Sequence, residues 1–144
     1  MKYFLAIIGG GPAGYTAAEI ASKAGKDVVI FEQTSLGGTC LNVGCIPTKT
    51  LLYSAKQYYN AKTAAKYGVS AENVAFDYTK IVQRKTKVVR KLVAGIKQKL
   101  NNEHCTLVMG SATILSRTDE QVLRKTFGFQ YNWKGSHLSL PGMR

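Results

Sequence analysis

The constraint that most limits how this chain can fold stands at its start. Residues 3–8 form an apolar run of strand length, Gly9-Gly10-Gly11-Pro12-Ala13-Gly14 follows at once, and residues 15–24 turn alanine-rich and helical. Gly25 fits a helix stop, and residues 27–31 form a second strand of buried type, so residues 3–32 read as strand-helix-strand. Such a unit has parallel strands and a right-handed crossover. In a G-x-G-x-x-G turn, Gly9 permits the tight bend, Gly11 lets backbone approach a pyrophosphate, and Gly14 lets helix and strand pack closely. The helix amino terminus then offers its unpaired amides and positive dipole end to phosphates. Glu32, at the end of the second strand, fits the acidic group that accepts from ribose hydroxyls. An ordinary glycine-rich loop is the alternative, and the strand before, the helix after and the terminal acid argue against it. The motif does not choose between FAD and NAD.

The second constraint is residues 37–49, Gly-Gly-Thr-Cys-Leu-Asn-Val-Gly-Cys-Ile-Pro-Thr-Lys, which set Cys40 and Cys45 five positions apart. In an ideal helix that spacing rises about 7.5 Å, beyond the usual Cα separation of a disulfide, so a bridge requires a distorted turn. Gly37, Gly38 and Gly44 supply that freedom. Cys45 falls at the start of the following helix, whose dipole stabilises negative charge there. Two other readings of the pair stay open, packed thiols and a zinc site. Zinc would need two more ligands, and His104 and Cys105, neighbours in an extended run, face opposite ways, so no metal is expected. Cys105 reads as a core thiol, and His104 and His137 as surface or packing residues.

The rest of the chain is expected to carry a helical hairpin over 46–101, an extended segment over 105–116 and a divergent tail over 123–144. In the hairpin, Gly68 ends a first helix reaching to about Lys66, and Asp77 caps a second. Val82, Thr86, Val89, Val93, Ile96 and Leu100 give that second helix an apolar stripe. Strands at 106–109 and 112–115 are expected around a Gly110-Ser111 turn or bulge. The tail is polar and aromatic with no clean period.

A length of 144 residues and a 45% hydrophobic content suit one domain with a true core. No apolar run approaches the roughly 18 residues of a membrane span, which argues against an anchor or a signal peptide. Three cysteines, an odd count, argue against a stapled secreted scaffold and for a cytoplasmic setting. The net charge of +12 admits a partner such as nucleic acid or anionic lipid. The basic residues between Lys80 and Lys99 lack interleaved exposed aromatics, however, and fit a solvated helix face. Neither nucleic acid nor membrane is therefore expected as a partner, and a basic helical binding module is the competing reading. An NAD-only dehydrogenase domain would leave the cysteines without a purpose.

Residues 7–14, the Cys-Leu-Asn-Val-Gly-Cys core of residues 37–49 and the helix over 85–100 together resemble the flavoprotein disulfide reductases. Among these the likeness is nearest to the members that oxidise dihydrolipoamide; glutathione and mercuric reductases are the alternative within the family. The resemblance covers residues 2–116. It implies an α/β fold, an incomplete Rossmann-like FAD-binding domain with a long helical hairpin insertion. It also implies roles for residues. Gly9, Gly11, Pro12, Ala13 and Gly14 would hold the FAD pyrophosphate, and Glu32 the adenosine ribose. Gly38, Thr39 and Lys49 would line the flavin side, and Ala112 the adenine end. Cys40 would be the thiol that exchanges with substrate and Cys45 the one facing the flavin.

The implied partners are the lipoyl domain of a 2-oxo acid dehydrogenase or related complex, a second copy in a homodimer, and NAD as co-substrate. Family members run to several hundred residues. The expectation is therefore of an amino-terminal fragment without the NAD and dimerisation domains or the family's histidine base, with little turnover alone. Where the family has a buried apolar strand, Phe129-Gln130-Tyr131-Asn132-Trp133-Lys134 stands instead, so a strand beside the flavin is expected to be missing.

Overall fold

The computed structural model describes residues 3–112 in full and the backbone of 2, 113–114, 121–125, 130–133 and 138–139. It divides into two compact units, Met1–Gly38 with Val93–Arg144, and Thr39–Leu92.

The first unit is built on a parallel sheet. β1 (Lys2–Tyr3) precedes β2 (Leu5–Ile8), α1 (Pro12–Lys23) and β3 (Val28–Glu32). β2 and β3 pair in parallel, with Ala6 opposite Val29 and Ile7 opposite Ile30, as the strand-helix-strand pattern requires. All five residues of β3 are buried, the mark of a strand covered on both faces. Period-two alternation sends Ala6, Val29, Phe31 and Val108 to one face, where they form a cluster with Tyr3. The Tyr3 hydroxyl donates to Thr106 Oγ1 at 3.2 Å. Each buried Val, Ile or Phe contributes roughly 1.5–3 kcal/mol.

α1 stops where Gly25 was expected to stop it. Gly25 has φ +71, its amide donates to Ser22 O, and the Lys26 amide donates to Ala21 O. These two bonds are the left-handed glycine cap that satisfies the last carbonyls of a helix.

β4 (Cys105–Met109) pairs in parallel with β3, and β8 (Leu138–Ser139) pairs in parallel with β2 on its other side. The order is β4-β3-β2-β8. The chain builds outward from β2 through β3 to β4 and returns to the far side of β2, so β2 is the switch point, where open α/β sheets place their ligands. A second sheet, ordered β1-β7-β6-β5, holds β5 (Ala112–Ile114), β6 (Gln121–Lys125) and β7 (Gln130–Trp133).

Two expectations are corrected here. The strands flanking Gly110-Ser111 are not partners around a turn or bulge, because β4 and β5 lie in different sheets. Gly110, at φ +143, carries the chain from one to the other. Nor is the strand beside β2 missing: Leu138–Ser139 occupies that edge, only two residues long, while the segment beginning at Gln130 joins the second, mixed sheet. Leu115 lies outside the described residues.

In the second unit, α2 (Gly38–Asn42) leads to α3 (Cys45–Lys62). α3 ends four residues before the expected Lys66, and a 3₁₀ turn over Ala64–Tyr67 precedes Gly68 at φ +74. α4 (Tyr78–Leu100) starts at the cap expected of Asp77, whose Oδ1 accepts from the Lys80 amide at 3.0 Å. That bond holds the Asp77 carboxyl below the usual carboxylate range. Within the unit, Arg84 Nη1 donates to Thr50 O at 3.2 Å, and its guanidinium lies 5.5 Å from the Tyr53 ring. In the first unit, Lys99 at the far end of α4 pairs with Glu19 at 3.3 Å.

The seat of α1 on β2 depends on Gly14. A Cβ there would run into the Gly9 carbonyl oxygen and lie 3.2 Å from Ile7 Cγ2. Backbone cannot yield as a flexible side chain does. Gly14→Ala is expected to cost more than about 2 kcal/mol, measured by urea unfolding; a loss below about 0.5 kcal/mol would show that the contact is not tight.

Candidate functional site

The glycine loop leaves the carboxyl end of β2 at the switch point. Gly9 turns the chain at φ +102, and its amide donates to Phe31 O at 2.8 Å. Gly10 is buried, and a Cβ there would strike the Leu36 side chain and sit 3.0 Å from Glu32 Oε2. Gly14 is required by the packing described above.

Gly11 differs from its neighbours. Its φ of −70 and ψ of −178 are open to any residue, and a Cβ would meet only Gly38 Cα, at 4.0 Å. Neither conformation nor packing within the described residues demands glycine there, and the open space beside it fits the close backbone approach expected of this motif. α1 begins beside it with no side-chain cap and no acidic residue in its first turn, and Pro12 and Ala13 are exposed. The loop, the bare helix terminus and the acid at the end of β3 fit a dinucleotide such as FAD.

Glu32 is 8% exposed and makes four hydrogen bonds. Oε2 accepts from the Gly10 amide at 2.7 Å. Oε1 accepts from the Thr34 amide at 2.8 Å, the Thr34 hydroxyl at 3.1 Å and the Ser35 amide at 3.2 Å. These donors offset the cost of burying a carboxylate.

Gly38 closes on the loop. At φ +62 it adopts a conformation that favours glycine, and a Cβ would lie 3.0 Å from Gly11 Cα and 3.4 Å from Pro12 Cδ. The Gly37 amide donates to Gly10 O at 2.8 Å. Sequence reasoning assigned no site role to Gly10, Gly37, Thr34 or Ser35. The runs Gly9-Gly10-Gly11 and Gly37-Gly38 were the signal for the glycines; nothing in residue type marked Thr34 and Ser35. Ala112, half-buried, packs against the Tyr3–Phe31 core cluster, away from any hydrogen bond to the loop that the structure records.

The cysteine motif is a break between two helices. Val43 and Gly44 separate α2 from α3, and a Cβ on Gly44 would lie 3.1 Å from Thr39 O and 3.3 Å from Cys40 Cα. Glycine thus lets the start of α3 fold back onto the turn that carries Cys40, the distortion that the five-residue spacing required. Both cysteines are free thiols, Cys45 exposed and Cys40 half-buried. They interact: a hydrogen bond with the Cys45 side chain pushes the Cys40 thiol above the ordinary cysteine range, and burial adds to this. The Lys49 ammonium, one turn into α3, acts in the opposite sense. Thr39 and Lys49 are exposed.

Cys105 is a free, half-buried thiol that burial pushes upward. His104 pairs through Nδ1 with Asp27 Oδ1 at 2.9 Å, at the end of the sheet opposite the glycine loop. His137 lies outside the described residues. No group of three or more potential metal ligands occurs among the described residues.

Two expected outcomes follow from this geometry. Gly11→Ala leaves unfolding stability within about 0.5 kcal/mol while weakening ADP binding at least about tenfold, or about 1.4 kcal/mol, by titration calorimetry; unchanged affinity would show that nothing approaches Gly11. Cys45→Ala removes the largest cause of the raised Cys40 value, so more Cys40 is thiolate at pH 8 and iodoacetamide modifies it faster. A slower or unchanged rate in peptide mapping would contradict the thiol contact.

Comparison with known proteins agrees with these features. Residues 3–134 match the family model described as pyridine nucleotide-disulphide oxidoreductase. The dihydrolipoyl dehydrogenase of Mycoplasma pneumoniae is 44% identical over 148 residues, covering 99% of this chain and 32% of that protein. A dihydrolipoyl dehydrogenase of Bacillus subtilis is 45% identical over 114 residues, covering 78% of this chain and 25% of that protein. Among solved structures, the HOCl-induced flavoprotein disulfide reductase of Escherichia coli superposes with a TM-score of 0.75 at 30% identity, covering 96% of this chain and 27% of that one. The chain spans about a third or less of the length of these relatives. With the switch-point glycine loop and the interacting thiols, the match over residues 3–134 shows that the chain belongs to the pyridine nucleotide-disulphide oxidoreductase family.

Proposed function

We propose that this chain is the FAD-binding and dithiol-bearing part of a dihydrolipoyl dehydrogenase. The observation that carries the proposal is the Cys40 and Cys45 pair, held as interacting free thiols in a motif whose first residues, Gly37 and Gly38, pack on the glycine loop. Gly9, Gly11, Pro12, Ala13 and Gly14 would hold the FAD pyrophosphate, Glu32 the adenosine ribose, and Ala112 the adenine end. Gly38, Thr39 and Lys49 would line the flavin side. FAD, when bound, supplies an acceptor for an electron pair, with NAD as the acceptor beyond it.

The chain's own chemistry is thiol–disulfide exchange. A thiolate of the dihydrolipoyl group attacks Cys40 Sγ of the oxidised pair, the Cys40–Cys45 bond breaks, and Cys45 leaves as thiolate. The second dihydrolipoyl thiol then attacks the mixed disulfide and expels Cys40. The substrate departs as a cyclic disulfide, two electrons poorer, and the two cysteines are left reduced. The Lys49 ammonium favours the thiolate form of Cys40. Exposure favours Cys45 as the thiol open to substrate, whereas the family resemblance favours Cys40, so the order of attack is the point to test. Partners consistent with this reading are a lipoyl domain and a second copy of the full-length protein, in the reducing cytoplasm. No helix among the described residues is long and apolar enough to cross a membrane.

The oxidised chain is expected to regain two titratable thiols with dihydrolipoamide while forming an equal amount of lipoamide. In a Cys105→Ser background, Cys45→Ser is expected to trap lipoamide as a mixed disulfide on Cys40 faster than Cys40→Ser traps it on Cys45, by mass spectrometry. No exchange would contradict the function, and faster trapping on Cys45 would reverse the assignment of the two sulfurs.

A further inference from the structure

The charge of the chain is unevenly placed. Residues 39–92, the compact unit that carries Cys40 and Cys45, hold ten of the chain's 20 basic residues and two of its eight acidic ones, Glu72 and Asp77, so +8 of the net +12 lies there. Asp77 is already engaged, its Oδ2 lying 3.7 Å from Lys80 Nζ and its Oδ1 accepting from the Lys80 amide at 3.0 Å. Among the described residues that is the one ion pair within the unit. Nine of the ten basic residues are exposed.

The excess is most ordered on α4. Lys80, Arg84, Lys87 and Lys91 follow one another at four, three and four residues, which sets them in a single row along the helix. All four are exposed, while Val82, Thr86 and Val89 on the opposite side are half-buried. A helix face built only for solvation gains from acidic residues placed four before basic ones; here neighbours along the row repel instead. α4 holds eight basic residues and no acidic one. Arg84 in the row is steadied by Thr50 O at 3.2 Å and by the Tyr53 ring, whereas Lys87 and Lys91 have no ion-pair partner among the described residues. The repulsion is left for an anionic partner to relieve.

We propose that the dithiol unit is a steering surface for an acidic carrier: the dihydrolipoyl group reaches Cys40 and Cys45 on a negatively charged protein domain, drawn in by the row from Lys80 to Lys91. The inference rests on the dithiol reading above and names the charge class of its partner. In the reaction the carrier's two thiols become a cyclic disulfide, while the Cys40–Cys45 disulfide takes up two electrons and two protons. Charge of one sign beside a reacting group raises the rate of encounter with the opposite sign and rejects like-charged competitors. The row itself carries no aromatic side chain on which bases could stack, and the excess charge lies on the unit that holds the thiols, so an acidic protein fits it better than a nucleic acid.

The test uses the oxidised 144-residue chain and three dihydrolipoyl probes: neutral dihydrolipoamide, a dihydrolipoyl-lysine peptide flanked by glutamates, and the same peptide flanked by lysines. Exchange is followed by quenched mass spectrometry, and each rate is divided by that of the same probe with hydroxyethyl disulfide, which removes differences in thiol reactivity. At about 0.01 M salt, where the field of exposed charges reaches about 30 Å, the acidic peptide is expected to react about tenfold faster than dihydrolipoamide and the basic one more slowly. At about 1 M salt, where that reach is about 3 Å, the three rates are expected to agree within about twofold. Lys87→Glu with Lys91→Glu halves the unit's charge from +8 to +4 and is expected to cut the tenfold advantage to about threefold while leaving dihydrolipoamide exchange unchanged. Equal rates for the three probes at low salt would overturn the steering surface and leave the dithiol reading standing. An advantage untouched in the double variant would remove the role given to the row. Tight, salt-dependent binding of a single-stranded oligonucleotide with no advantage for the acidic peptide would assign the surface to nucleic acid instead. Absence of exchange with every probe would overturn the dithiol reading and this inference with it. The three probes on the unaltered chain decide the main claim even where the double variant fails to fold.

Discussion

The contact between Gly14 and the Gly9 carbonyl sets the geometry on which the remainder depends. Without side chains at these positions the first turn of α1 sits directly on the end of β2, and the helix terminus opens at the switch point of a β4-β3-β2-β8 sheet. A methyl group would separate the two, moving the terminus away from the place where strand ends and backbone amides converge. The glycine loop is thus a packing solution first, and the phosphate site proposed for it is a consequence of that packing.

Close approach recurs where Gly37 and Gly38 meet that loop. Gly38 lies against Gly11 and Pro12, and Gly37 bonds to Gly10. Gly44 does the same over a shorter distance, folding the start of α3 onto the Thr39–Cys40 backbone. The chain brings two thiols into contact by omitting side chains around them.

Much of this was legible in the sequence because it rests on local rules. A strand length of apolar residues ending in glycine, a glycine stop at 25, an aspartate cap at 77 and a proline in the first turn of α3 each act within a few residues. What escaped rests on long-range pairing. The change of sheet at Gly110 cannot be seen in residues 105–114, because two adjacent extended runs look the same whether or not they pair with each other. The two-residue β8 is too short to show a period, and its place beside β2 is set by the far end of the chain. Thr34 and Ser35 look like ordinary turn residues, and only the buried carboxylate at Glu32 gives them a task.

The central claim is that one chain joins a dinucleotide cradle to a dithiol relay, and the binding stoichiometry of FAD tests it most directly. Purified chain incubated with excess FAD and passed through gel filtration is predicted to elute with one flavin per chain, by absorbance. It is also predicted that reducing the Cys40–Cys45 pair shifts the visible spectrum of the bound flavin. Chain that elutes colourless, or that binds flavin with a spectrum indifferent to the state of the two cysteines, would contradict the account.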